Sequence, residues 1–163
     1  MTIFIESLDT LGSEMEKIIS IARNCYKHQF HTKTDTFIQL ALEIGALGDI
    51  DALAEANHLA GNFHQYNLDT DQAKIFYQKA IDLSTSEFNI AKYLVPLGGL
   101  YKLKGAIPQA IEISLDVKNK LENLDGELDD KDEKVRKNLY GAVLNSLDNI
   151  YNSINDFENA NMY

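Results

Sequence analysis

The sequence has few of the residues that interrupt helices or cross-link chains: one cysteine, two prolines and nine glycines in 163 residues. Cys25 has no second cysteine to pair with, which excludes an internal disulfide and agrees with a reducing compartment. Proline and glycine are the strongest helix breakers. Their scarcity beside plentiful alanine, leucine, isoleucine, lysine and glutamate favours an all-α fold over a sheet.

Positive charge is also scarce in this sequence. Fifteen lysines and arginines stand against 25 aspartates and glutamates, which gives a net charge of −10 at pH 7. Such a surface repels nucleic-acid phosphates and anionic lipids, so we expect neither nucleic-acid nor membrane partners. The apolar start Ile3 to Ile5 ends at Glu6 without basic residues before it, and matches neither a secretory signal nor a membrane span. We therefore expect a cytoplasmic protein.

The first 48 residues predict one helical hairpin of irregular pattern. Ser13 and Glu16 have the spacing of a capping box, and the apolar residues that follow recur at helical intervals. This predicts a helix from about 14 to 29, followed by a turn at residues 31–33. Thr34 or Asp35 would then cap a second helix that ends near residues 45–48.

A spaced set of residues recurs in the rest of the chain. The middle copy is Leu94, Leu97, Gly98, Tyr101, Gly105, Ile107 and Ala110. A shift of 37 residues towards the N-terminus reaches Gly61, His64, Ala73, Tyr77 and Ala80, and a shift of 50 towards the C-terminus reaches Leu144, Leu147, Tyr151, Phe157 and Ala160. A single hairpin cannot bury its apolar face alone, so repetition at this interval indicates stacked hairpins.

These positions resemble the packing residues of the tetratricopeptide-repeat (TPR) family. The resemblance implies an all-α, TPR-like superhelix of stacked antiparallel hairpins, with a divergent hairpin at 1–48 and about two and a half TPR-like hairpins over 49–163. Those hairpins are expected at 50–84, 87–122 and 132–163, the last one incomplete. The residues that would pack them are Gly61, Ala73, Tyr77, Ala80, Leu94, Leu97, Gly98, Tyr101, Ala110, Leu144, Leu147, Tyr151, Phe157 and Ala160.

A second stripe runs along the first helix of each hairpin, on a different face from the packing residues. The resemblance implies that this stripe lines a concave groove that binds a peptide. Its members are Glu55, His58, Asn62 and Gln65 with adjoining Tyr66, then Lys92, Val95, Gly99 and Lys102, then Ala142, Asn145, Asn149 and Asn152. Asparagine can both donate to and accept from a peptide backbone, and lysine can hold a carboxylate. Plain solvent exposure of a polar helix face is the alternative reading, and it stays open.

No constellation of residues indicates catalysis or a cofactor. Cys25, His28 and His31 recur at intervals of three, but the outer two lie about 120° apart around a helix and no fourth ligand is near, so we expect no metal site. The acidic run that begins at Asp125 lacks the ligand order of a calcium loop and is interpreted as a solvated link. Signatures of phosphate-binding loops, serine hydrolases and zinc proteases are also missing. We therefore predict a protein without enzyme activity.

Three hypotheses for function follow from the sequence. The first is a sensory or scaffold segment of a larger bacterial signalling protein that binds a peptide or protein, because the run from Ala41 to Gly61 resembles TPR regions that precede signalling output domains. The second is a stand-alone regulator that senses a small peptide through the asparagines of the third stripe. The third is an element that forms a homodimer through its unfinished C-terminal hairpin.

Overall fold

The computed structural model describes residues 2–29, 31–46, 49–124 and 128–154, with side chains from Ser13 onward. These residues form seven α-helices and no strand, which confirms the all-α prediction. The helices are α1 (Thr2–Lys27), α2 (His31–Gly45), α3 (Ile50–Tyr66), α4 (Thr70–Leu83), α5 (Glu87–Leu103), α6 (Ile107–Glu122) and α7 (Asp130–Ser153). The chain divides into two compact units: unit 1, Met1–Ser84, contains α1 to α4, and unit 2, Thr85–Tyr163, contains α5 to α7.

Side-chain caps fix the starts of four helices. Asp49, Asp69, Ser86 and Asp129 precede α3, α4, α5 and α7, and each accepts a hydrogen bond from the backbone N–H three residues further on, at 2.9, 3.2, 3.4 and 2.7 Å. Each bond satisfies a donor that the first turn of a helix leaves without a partner. α6 has no such cap but carries Pro108 in its first turn, where a missing N–H costs nothing.

The first helix begins earlier than its sequence pattern predicts. α1 starts at Thr2 rather than near residue 14. Gly12 costs a helix only about 1 kcal/mol, and the capping-box spacing of Ser13 and Glu16 is equally compatible with a helix interior. The pattern therefore identified a real helical segment but not its beginning.

The predicted turn of the first hairpin is also displaced. The chain turns at His28 and Gln29 rather than at residues 31–33, because Gln29 adopts a left-handed conformation with φ 61° that ends the helical path. α2 therefore begins at His31. Thr34 is a buried residue inside α2 and not its cap.

One turn geometry recurs after α1, α3 and α5. Each helix is followed by a single left-handed residue: Gln29 with φ 61°, Leu68 with φ 63° and Gly105 with φ 73°. The N–H after Leu68 donates to the carbonyl of His64, and the N–H after Gly105 donates to that of Tyr101, both at 2.9 Å. The left-handed residues stand 39 and 37 residues apart. The 37-residue interval of the sequence pattern therefore recurs in the backbone between Leu68 and Gly105.

Small and apolar side chains fill the core of unit 1. One cluster joins α1, α2 and α3 through Met15, Ile19, Ala41, Ala52 and Ala56, and a second joins the same helices through Ala22, Ile38, Leu59 and Ala60. The many alanines allow these helices to approach one another closely.

Gly61 marks a close contact between α3 and α4. A methyl group on Gly61 would lie 2.5 Å from the ring of Tyr77, which is fully buried. Ala73 and Ala80, one turn to either side of Tyr77, are also fully buried. A small residue on α3 thus lets a large ring on α4 lie against the helix backbone.

The buried core cluster of unit 2 has larger side chains and less alanine than the two clusters of unit 1. It joins α5, α6 and α7 through Phe88, Ala91, Val117, Leu121, Val143 and Leu147. Gly98 on α5 faces α6, where an added methyl would lie 3.1 Å from Ile113 Cγ2. Gly98 in unit 2 therefore has the position that Gly61 has in unit 1, but with more room.

Gly61→Ala is expected to destabilise the protein by about 1–3 kcal/mol, because the new methyl must displace the Tyr77 ring. Gly141→Ala on α7 is the control, since no atom lies within 4 Å of its added methyl. Alanine there should stabilise the helix by about 0.5–1 kcal/mol. Urea denaturation followed by circular dichroism measures both changes. Similar effects of the two substitutions would contradict the close contact.

Leu68→Gly is expected to stabilise the protein by up to about 1 kcal/mol. Its side chain is 86% exposed, so little packing is lost. Glycine also avoids the cost of about 1–2 kcal/mol that a Cβ adds in the left-handed region, offset in part by the freer unfolded chain. The matched change Leu103→Gly, at a leucine that is 72% exposed and ends α5, should destabilise. Melting temperatures that shift in the same direction would argue against this account.

Candidate functional site

The predicted groove residues of α3 are partly enclosed within unit 1. Glu55, His58, Asn62 and Gln65 are half-buried, and only Tyr66, at 47%, is exposed. α3 contacts α1, α2 and α4 in this unit.

Contacts with α1 hold one side of this stripe. The Arg23 guanidinium donates a hydrogen bond to Oε1 of Glu55. His58 lies one turn along α3, with Nδ1 3.6 Å from the same oxygen. The Tyr26 hydroxyl donates to the backbone carbonyl of Asn62 at 3.4 Å. These interactions link the stripe to α1 instead of leaving it open.

The hydroxyl of Tyr77 holds the stripe from α4. It lies 2.8 Å from Asn62 Oδ1 and 2.7 Å from Gln65 Oε1. One hydroxyl proton can serve only one of these oxygens, so the other amide must turn its nitrogen towards Tyr77. Asn62 Nδ2 lies 3.3 Å from His58 Nε2, which fits an amide donating to a neutral imidazole. We therefore assign Tyr77 as donor to Asn62, and Gln65 as donor to Tyr77.

In this assignment the hydrogen bonds of the network all run in the same direction along the stripe. Each group donates to the next in the order Gln65, Tyr77, Asn62 and His58. His58 Nδ1 lies 3.6 Å from Glu55 Oε1, beyond hydrogen-bond distance, and Arg23 donates to that carboxylate. Loss of one member leaves a shielded polar group with an unmet hydrogen bond, at a cost of about 1–3 kcal/mol. The polar groups of this stripe therefore serve internal bonding in unit 1.

Burial raises the pKa of two tyrosines in this network. It raises the pKa of the Tyr77 hydroxyl far above the usual value of 10.0, and the neighbouring Tyr26 adds to the effect. Burial also raises the pKa of Tyr26, with a further contribution from Tyr66. The phenols are therefore held in their neutral form, as their hydrogen bonds require.

Aromatic rings gather at the C-terminal end of α3, where the sequence singled out only Tyr66. The ring of His31 stacks on Tyr66 at 5.1 Å, and Tyr26 meets Tyr66 edge-on at 6.0 Å. Phe63 lies 6.4 Å from His31. The sequence spacing drew attention to His31 only as a metal ligand. Its ring partners lie on α3, so no pattern within α1 or α2 could have identified them.

The stripe on α7 faces solvent in unit 2. Asn145, Asn149 and Asn152 are exposed, as is Ala142 at the start of the row, whereas the core face of the same helix carries the buried residues Val143, Leu147 and Ile150. Asn152 donates to Asp148 at 3.1 Å within the helix. Three carboxamides thus form a row along the outside of α7.

The stripe on α5 belongs to a helix that contacts both α6 and α7. Lys92, Val95, Gly99 and Lys102 are half-buried. A methyl group added to Gly99 would meet nothing within 4 Å. The backbone of α5 is therefore accessible at Gly99, between two lysines. We refer to this stripe and the α7 asparagines together as the α5/α7 face.

The two units use equivalent positions differently. At the 37-residue interval, Gly99 stands where Asn62 stands, and Ser114 stands where Tyr77 stands. Ser114 is buried and donates to the carbonyl of Ala110 within its own helix, at 2.8 Å. At this position, unit 2 therefore has no tyrosine hydroxyl that could form hydrogen bonds with the stripe of α5.

The predicted packing residues are mostly inside the two units. The buried ones are Gly61, Ala73, Tyr77, Ala80, Leu97, Gly98, Ala110 and Leu147. Leu94, Tyr101, Leu144 and Tyr151 are half-buried. Phe157 and Ala160 lie outside the described residues, as does the C-terminal part of the hairpin expected to mediate a homodimer.

A cavity of about 570 Å³ lies in unit 2 between the start of α5 and the end of α6. Phe88, Leu124 and Leu128 give it apolar walls. Lys120, which also lines it, donates to Glu87 at 2.7 Å, and this hydrogen bond raises the pKa of the lysine. The cation is therefore already balanced by a carboxylate of the same unit.

Neither a metal-binding cluster nor a membrane-spanning helix is present among the described residues. Cys25, His28 and His31 do not form a metal-binding cluster, and no other group of three histidine, cysteine, aspartate or glutamate residues does so in the part of the chain that the structure describes. Within the same part, no helix combines the length and the apolar character needed to cross a bilayer.

Comparison with known proteins adds a likeness of fold. No protein-family model matches the chain, and no curated protein matches it in sequence. The crystal structure of BtubC (BKLC) from P. vanneervenii is similar, with a TM-score of 0.72 over 91% of this chain at 18% sequence identity. The match spans 59% of the length of BtubC. At this identity the likeness concerns the helical fold alone.

Tyr77→Phe is expected to destabilise the protein by about 1–2 kcal/mol at pH 8, and by less at pH 11. Above pH 10 the unfolded chain ionises Tyr77 while the folded chain keeps the proton, because the folded pKa is raised. The wild type therefore loses stability as the pH rises through 10, by up to about 1.4 kcal/mol per pH unit from this group, and phenylalanine does not. Urea denaturation at both pH values measures the difference. A difference that stays constant would contradict the buried hydroxyl.

Proposed function

We propose that this protein is a non-enzymatic module that binds a peptide or protein segment, and that the α5/α7 face is its binding site. The observations that carry the proposal are the exposed row of Asn145, Asn149 and Asn152 on α7 and the accessible backbone of α5 at Gly99. The row and the open position lie on helices that contact each other within one unit.

The chemistry of the α5/α7 face suits an extended peptide. Each asparagine offers a donor and an acceptor, which matches the alternating groups of a peptide backbone. Lys102 is half-buried and forms no ion pair with any described residue, so its charge is available to an acidic side chain or a C-terminal carboxylate. The open position at Gly99 leaves room for one side chain of the peptide.

The equivalent stripe of unit 1 is a weaker candidate. Asn62 and Gln65 are engaged with Tyr77, and Glu55 is engaged with Arg23. A peptide would have to replace these bonds with others of similar strength, which gains little free energy. We therefore assign the function to unit 2.

The repeated helix–turn geometry supports this reading. Stacked hairpins of the TPR type expose the first helix of each repeat as a binding surface, and the left-handed turn recurs here at a similar interval. A module of this kind acts through the chains that it brings together. A sensory or scaffold role in a larger bacterial signalling protein is thus the form of this function that we favour.

Selection of a random peptide library displayed on phage, with the 163-residue chain as target, tests the proposal. Enriched peptides are expected to carry an acidic residue or a free C-terminal carboxylate. Replacing Asn145, Asn149 and Asn152 together by alanine should weaken their binding at least about tenfold, because three exposed hydrogen-bond partners are lost. Stability should change little, because all three side chains are exposed.

One control variant and one further variant of the α5/α7 face separate a specific loss of binding from general effects. Replacing Gln39, Gln109 and Asn119 by alanine removes the same number of exposed carboxamides elsewhere and should leave binding unchanged. Gly99→Leu should fill the open position and block binding without unfolding unit 2. Peptides that bind the wild type and all three variants equally would show that the α5/α7 face is not the site.

A further inference from the structure

Unit 1 contains a second groove that the proposed function does not use. It has a volume of about 460 Å³ and lies where α2, α3 and α4 meet. Its walls are apolar and come from Leu42, Leu53, Phe76 and Leu83. Phe76 and Leu83 are seven residues apart on α4, which places them on one face two turns apart. The groove is therefore long enough to hold a large side chain.

A buried acceptor lies among these walls. Asn57 lines the groove and is only 4% exposed. Its Nδ2 donates to the carbonyl of Leu53 at 2.8 Å, on its own helix. Among the described residues, no donor is hydrogen-bonded to its Oδ1. Asn57 Oδ1 is not one of the fully buried atoms that lack a partner, so it opens on the groove. An occupant that covers this oxygen must bring a donor, because a carboxamide oxygen buried without one is costly.

The rim of the groove carries a cation in reach of aromatic rings. Lys79 Nζ lies 5.3 Å from the centre of the Phe76 ring. Both Lys79 and Asp82 are exposed, and Asp82 accepts from Gln78 at 2.8 Å. The ammonium of Lys79 is complementary to the electron-rich face of an aromatic occupant. The opposite charges at the rim favour a neutral side chain over an ion.

We propose that this groove binds the indole side chain of a tryptophan that a partner protein presents. An indole combines a large apolar body with a single N–H donor, which are the two properties that the walls and Asn57 demand together. Its π-face is also the strongest partner for a cation such as Lys79. Phenylalanine lacks the donor that Asn57 Oδ1 requires.

The occupant must come from outside these 163 residues. None of them is tryptophan, so neither they nor a second copy of them can supply the side chain. The site lies wholly in unit 1 and involves none of the residues of the α5/α7 face. Failure of either proposal would therefore leave the other unaffected.

The absence of tryptophan also provides the measurement. N-acetyltryptophanamide, which imitates a tryptophan within a chain, can be excited at wavelengths where tyrosine absorbs little, so its emission reports binding directly. Titration with the full chain should give a saturable shift of the emission to the blue, with a dissociation constant in roughly the millimolar range that the per-atom limit on small ligands allows. The 1-methylindole analogue, which has no N–H, should bind about tenfold more weakly.

Two variants connect this preference to the groove. Asn57→Leu keeps the size of the side chain and removes the acceptor, so the two ligands should bind it equally. Leu83→Glu places a charge in the groove and should abolish binding of both, and because Leu83 is half-buried at the end of α4 it keeps the proposal testable if Asn57→Leu fails to fold. Ile75→Ser, at a residue that is 45% exposed and does not line the groove, is the control and should bind like the wild type.

Several outcomes would overturn the proposal. One is the absence of a saturable shift, and another is equal binding of the methylated and unmethylated ligands by the wild type. Free indole that binds more tightly than N-acetyltryptophanamide would assign the groove to a small molecule instead. A dimer in light scattering that Leu83→Glu dissociates would assign it to a second copy of the chain.

Discussion

The contact between Tyr77 and Gly61 is the constraint on which unit 1 depends. Because Gly61 has no side chain, the ring of Tyr77 lies against the backbone of α3. This position brings the hydroxyl within 2.8 Å of Asn62 and within 2.7 Å of Gln65. One contact thus determines both packing and hydrogen bonding. The ring that fills the space beside Gly61 also places its hydroxyl against the stripe. A larger residue at position 61 would disturb both.

Part of this arrangement could be predicted from the sequence. The ladder that contains Gly61 and Tyr77 records which residues must be small or large where helices meet, and this is a local property that spacing reveals. The hydrogen-bond network could not be read in this way, because its members Arg23 and Tyr26 contact residues that are 32 and 36 positions away. Such pairings depend on how one hairpin stacks on the next. The start of α1 was missed for a simpler reason: a capping-box spacing does not exclude a helix interior.

The candidate site shows why fold is easier to predict than function in a repeated structure. Equivalent positions on α3 and α5 share their place in the hairpin but not their surroundings. On α3, Asn62 faces the hydroxyl of Tyr77, whereas on α5, Gly99 has open space and Ser114 bonds to its own helix. Two differences at the repeat interval therefore remove from α5 the hydrogen bonds that hold the stripe of α3. The spacing in the sequence treats both stripes alike, because the contacts of each stripe depend on the neighbouring helix.

In the turns, too, the backbone conformation recurs although the side chains differ. Gln29, Leu68 and Gly105 all adopt the left-handed conformation, yet only one of them is glycine. The other two carry a cost of about 1–2 kcal/mol each, which the hairpin contacts must outweigh. Packing therefore imposes the turn, and the turn residue itself does not. Helix packing thus fixes the backbone of the repeat, whereas the residues off the packing face differ between α3 and α5 in identity and in contacts.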